Sequence, residues 1–202
     1  MKIAFDEHVP DGLVRVFESL TAERKMRRVI GANGRGQEGG YEIVTSRSFN
    51  ALPGDDDYIK GKGSDAPWIN KFAASGGTVI ISGNVDMMSV PQEVIALQQA
   101  GMITFYFEGK WNLWNFFKKS ALLLWHWELI IRTVQNGSPG DVYRIPVAFS
   151  DVAKLNLISK ARQLEMLVEA PHHATKGLRK VRKRVSTKRV PPKEQGNLEI
   201  EV

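Results

Sequence analysis

"TVIISGNVDMM", residues 78–88, decides the fold. Val79, Ile80 and Ile81 leave no polar face, which is the pattern of a strand buried on both sides in a parallel sheet rather than one with a wet side. Immediately past the strand stand Gly83, Asn84 and Asp86. The same order of strand and then short polar turn recurs on both sides of this stretch.

Toward the N-terminus, "MKIAF" is a short apolar strand. "PDGLVRVFESL" after it repeats apolar residues at Leu13, Val16, Phe17 and Leu20, the spacing of one helix face, with Pro10 suited to the helix start. "GANGRGQEGG" (31–40) is too glycine-rich for regular structure and reads as a loop before the strand "YEIVT". Residues 46–63 read as an irregular connection carrying Asp55, Asp56 and Asp57, a solvated acidic loop. In "SDAPWINKFAA", Ser64 or Asp65 is placed to cap a helix and Pro67 falls in its first turn.

Toward the C-terminus follow a helix, "PQEVIALQQA", stopped by Gly101, and a strand, "MITFYF". The aromatic segment 111–135 then reads as one long amphipathic helix whose Trp and Phe side chains fill a core or face a second subunit. Lys118, Lys119, His126 and Glu128 interrupt it, so it does not enter a membrane. After Gly137, "DVYRIP" adds a strand and "SDVAKLNLISKARQLEMLVEA" reads as helix. Strands alternating with helices predict an α/β sheet, mainly parallel and covered by helices on both faces.

The chain has 202 residues, 43% of them hydrophobic, enough for one ordinary domain with an extension. The expected division is a globular domain over 1–146, a helical extension over 147–170 and a basic arm over 171–202. There is no cysteine, which excludes disulfides and thiolate metal sites. No signal peptide is visible, and a cytoplasmic protein is expected. The charge is uneven. Residues 171–202 hold nine Lys/Arg, among them Lys176, Arg179, Lys180, Arg182, Lys183 and Arg184, against three Glu, a difference equal to the whole net charge of +6. The arm suits RNA phosphates or an acidic protein segment, and a merely solvated terminus fits the composition as well.

In an open α/β sheet the ligand crevice lies outside the carboxyl ends of the strands. That rule gathers Asp6 and Glu7 from the first strand, Asp65 from a helix start, and Asn84 and Asp86 from the turn after "TVIIS". Clustered carboxylates repel unless a cation neutralises them, and an all-oxygen set favours Mg²⁺ or Mn²⁺ over zinc. Such a centre serves phosphodiester hydrolysis. Each residue also has a plainer role: spacing alone favours capping for Asp65, Glu7 can point to solvent, and His8 and the pair His172–His173 can be surface histidines.

Three blocks, "MKIAFDEHVPDGLVRVF", "GSDAPWINKFA" and "TVIISGNVDMM", resemble in order and spacing the motifs of PIN-like domains, specifically of VapC-type toxins, over about residues 1–145. The resemblance implies a three-layer α/β fold and a Mg²⁺- or Mn²⁺-dependent endoribonuclease, the toxin of a toxin–antitoxin pair. Its ligands would be Asp6, Asp65 and Asp86, and its partners an RNA substrate and a cognate antitoxin, with a homodimer possible and no membrane. Asn84 departs from the pattern, standing where such domains have another Asp. Asn offers one neutral carbonyl oxygen and no charge, so weakened metal binding and reduced activity are expected. Two alternatives stand beside this reading: a catalytically inactive PIN-like binding module, and a phosphoacceptor receiver-like domain, against which stands that such a domain needs an Asp directly after its third strand and a Lys after a later one, where this chain has Asn84 with a displaced Asp86 and no Lys in "DVYRIPVAFS".

Overall fold

The computed structural model describes residues 1–23, 41–49, 65–150 and 155–169. Within them the expected alternation of strand and helix is present. β1 (Lys2–Phe5) leads to α1 (Asp11–Ala22) and β2 (Glu42–Thr45). α2 (Ala66–Ala74), β3 (Val79–Ser82), α3 (Pro91–Gln99) and β4 (Ile103–Phe107) follow. α4 (Phe116–Asn136), β5 (Val142–Ile145), β6 (Asn156–Leu157) and α5 (Lys160–Glu169) complete the described chain.

The strands form one sheet in the order β2-β1-β3-β4-β5-β6, parallel throughout except for the antiparallel β5–β6 pair. From β1 the chain runs outward to β2, then returns across β1 to β3. The order therefore reverses between β1 and β3, and in a parallel sheet that is where a crevice opens beyond the carboxyl ends.

Side chains alternate across a strand, so each strand feeds two separate cores. Ile3, Phe5, Val79, Ile81, Phe105 and Tyr143 point to the face covered by α1 and α4. There Phe17 lies 5.6 Å from Phe5 and 4.2 Å from Trp127, centroid to centroid. Ala4, Ile80, Tyr106 and Val142 point to the opposite face, where Trp68, Ile69 and Phe72 of α2 and Val94 and Leu97 of α3 cover them. The result is a three-layer α/β fold. β3 is buried along its whole length, as its unbroken apolar run requires.

Four local expectations are corrected. α1 buries Leu13, Val14 and Phe17, while Val16 is exposed. Residues 46–49, read as irregular, form a 3-10 turn. The helix predicted from 111 begins at Phe116, because the Asn115 side chain accepts the Lys118 N–H at 3.0 Å and starts it there; Gly109–Leu113 is a separate 3-10 turn. Residues 156–157, read as helix, pair with β5 as a two-residue strand. α3 closes as expected, with Gly101 at φ 64°, a conformation that glycine adopts without strain. The loop 31–40, the acids 55–57 and the arm 171–202 lie outside the described residues.

Candidate functional site

Asp6 follows β1 directly and continues its alternation, so it falls on the Ala4 side of the sheet, toward α2. It is 1% exposed. Its backbone N–H still donates to Ile81 O at 3.0 Å, which holds the end of β1 against β3. Ser82, last in β3, shares that face and donates from Oγ to Asp6 Oδ2 at 2.7 Å. The Asn84 N–H donates to Ser82 Oγ at 2.9 Å, so a relay runs from the turn after β3 through the hydroxyl to the carboxyl. His8 Nδ1 lies 3.1 Å from the same Oδ2.

Both contacts fall on Oδ2. Oδ1 is buried and has no hydrogen-bond partner among the described residues. A buried carboxyl oxygen normally finds a donor or a cation, so Oδ1 is the acceptor of Asp6 whose partner the described residues do not supply.

Asp65 precedes α2 at its N-cap position, yet its side chain makes no capping bond, contrary to the plainer expectation. Instead its backbone N–H donates to Glu93 Oε1 at 3.0 Å, so the buried Glu93 of α3 ties down the start of α2. The Asp65 carboxyl is pushed above the ordinary carboxylate range, chiefly by burial and then by the Asp6 charge. A hydrogen bond from Trp68 and the charge of His8 pull the other way, while Glu7 adds to the rise. Asp6 and Asp65 thus share one electrostatic environment although 59 residues separate them in the chain.

Glu7 is exposed. Asn84 is half-buried, and Asp86 lies in the 3-10 turn Val85–Ser89 beyond β3; the side chain of Asp86 is outside what is described. Among the described residues no three acids or histidines come together as a metal-holding group. Ser64, His172, His173 and the arm residues Lys176, Arg179, Lys180, Arg182, Lys183 and Arg184 lie outside the described residues.

The turn after β3 is closely packed. A Cβ on Gly83 would sit 3.0 Å from Trp111 Nε1 and 3.1 Å from both Cβ and O of His8, so the β1 and β3 turns and Trp111 meet where a larger residue would have to push its neighbours aside. Trp111 stacks on Phe107 at 3.8 Å, and its indole N–H is buried without a partner among the described residues. α5 packs against Val85–Ser89 and is held to α3 by Gln98 Nε2 donating to Gln163 Oε1 at 2.7 Å. Sequence reading did not find Ser82, Glu93 or Trp111, because nothing in their local spacing marks them.

These features define an α/β protein with an acid pair at the β1/β3 switch point. The model of the family described as PIN like domain matches residues 1–109, more than half of the chain, and the chain belongs to that family, whose members are generally nucleases. No curated protein and no solved structure matches it. No helix among the described residues is long and apolar enough to cross a membrane.

Proposed function

We propose that the protein is a metal-dependent endoribonuclease, the toxin of a toxin–antitoxin pair, with its activity reduced by Asn84. The observation that carries the reading is Asp6: a buried carboxyl whose Oδ2 is held by Ser82 and His8 and whose Oδ1 meets no donor among the described residues. Asp65, held above its ordinary pKa beside it, has the same need for a neutralising cation. Mg²⁺ or Mn²⁺ fits this donor set, with Asp6 and Asp65 as carboxylate ligands, Asn84 and Asp86 as the contributions of the turn after β3, and Glu7 at the rim.

When bound, such an ion supplies Lewis acidity toward a phosphodiester and lowers the pKa of water. The chain's own residues do the rest. Ser82 and His8 orient Asp6 so that Oδ1 faces the site, and Glu93 fixes the backbone from which Asp65 projects. Asn84 gives a neutral oxygen where a carboxylate would add charge, which lowers affinity for the ion and slows the reaction.

A second reading, an inactive module that keeps the fold for partner recognition, is favoured by Asn84 itself. Cleavage of a labelled single-stranded RNA in Mn²⁺ separates the two. The nuclease reading expects cleavage that EDTA stops, that Asp6→Asn abolishes and that Asn84→Asp increases. Absence of cleavage by both the native chain and Asn84→Asp would establish the inactive module. Equal rates in those two forms would remove position 84 from the ligand set.

A further inference from the structure

The 3-10 turn Gly109–Leu113 and the first turn of α4 leave the sheet at the carboxyl end of β4, the same edge as the acid pair. Two close approaches tie them to it. Trp111 meets the position of a Cβ on Gly83, beside His8, and Phe116 Cε2 lies 3.2 Å from a Cβ on Gly12 in the first turn of α1. The start of α4 therefore lies at the same end of the sheet as the turns after β1 and β3, reaching them from the α1 side.

This surface is unusual in composition. Leu113 is 86% exposed and Phe117 80%, with Phe116 partly exposed and set edge-to-face against Phe117 at 5.6 Å. Lys110 and Lys118 are exposed among them, and Lys118 Nζ stands 3.9 Å over the Trp114 ring. Between Glu108 and Glu128 the sequence holds no acid. Exposed apolar rings beside lysines match single-stranded nucleic acid, which offers π faces for stacking and phosphates for ammonium groups.

We infer that Leu113, Phe116 and Phe117, with Lys110 and Lys118, form a platform that holds single-stranded RNA beside the Asp6–Asp65 crevice. Bases stack on the Phe117 ring and the Leu113 side chain, while Lys110 and Lys118 contact the backbone. The inference rests on the nuclease reading for its substrate class, but binding and cleavage are separable. The basic arm is not needed for it.

The test is anisotropy of a fluorescent single-stranded oligouridylate bound to the full chain in EDTA, where no cleavage occurs. Phe117→Ser should raise Kd roughly tenfold, the loss expected for one stacked base. Lys110→Ala and Lys118→Ala should each reduce the salt slope by about 0.7. Because Phe117 is exposed, its variant should keep the native melting midpoint, measured alongside. An unchanged Kd for Phe117→Ser, or no RNA binding by the native chain, overturns the platform; a shift in oligomeric state at unchanged RNA affinity assigns the surface to a protein partner instead. RNA bound through Phe117 but not cut in Mn²⁺ would defeat the catalytic reading and leave the platform standing.

Discussion

The two faces of the sheet are built from the same strands but differ in kind. Under α1 and α4 the core is dominated by large rings, with Phe5, Phe17, Phe105 and Trp127 packed together. Under α2 and α3 the rings of Trp68, Phe72 and Tyr106 are mixed with Ala4, Ile80, Met87 and Met88, and the polar groups Asp6, Ser82, Glu93 and Gln163 gather there. One residue step along a strand separates the two environments. Both faces bury apolar side chains that stabilise the fold, and the α2/α3 face also carries a buried acid that stability alone would not favour.

The strongest way to break this contrast is Phe17→Ala. Removing a fully buried ring from the aromatic face should cost about 3–5 kcal/mol in urea unfolding, and any activity should vanish with the fold. At the crevice, Gly83→Ala should cost about 1–3 kcal/mol, since the added methyl meets Trp111 Nε1 and the His8 backbone; a lowered urea midpoint checks it. Ser82→Ala should behave oppositely to Phe17→Ala. Its loss in stability should be about 1 kcal/mol, while Mn²⁺-dependent cleavage falls roughly tenfold, because the hydroxyl positions Asp6 rather than packing the core.

The smallest effect sharpens the contrast through pH. The Asp65 carboxyl is raised in the folded state, so folded chains hold its proton more tightly than unfolded ones. The stability it contributes is full below the ordinary carboxylate range and is lost as the pH rises through the raised pKa. Asp65→Asn should therefore raise Tm at neutral pH in EDTA by about 1–3 °C, a modest gain because the group is only half-buried. That gain should disappear toward acid pH and also in saturating Mn²⁺.

Much of the fold could be read from hydrophobic patterning. The unbroken "TVIIS" run specified a strand buried on both faces, and the strand–helix alternation specified the parallel sheet. What stayed hidden has physical causes. β6 is two exposed residues long and has no periodicity to read. The true start of α4 depends on one Asn115 side-chain bond inside an aromatic run that looks helical from its first residue. The nearness of Asp6 to Asp65 was legible because strand ends and helix starts have predictable places in an α/β sheet. Ser82 was not, since its role rests on a bond to a residue 76 positions away, and neither was Glu93, 28 positions from the N–H that it accepts. Composition marked the aromatic segment but did not divide it between core and surface: Trp127 is buried and Phe117 is exposed on the same helix.

The central claim is that Asp6 Oδ1 takes a divalent cation. Calorimetric titration of the full chain with Mn²⁺, beside Asp6→Asn under identical conditions, tests it directly. The account predicts saturable binding by the native chain that is lost in the variant while both keep a cooperative melt. Equal Mn²⁺ heats in the two proteins, or none in either, would contradict it.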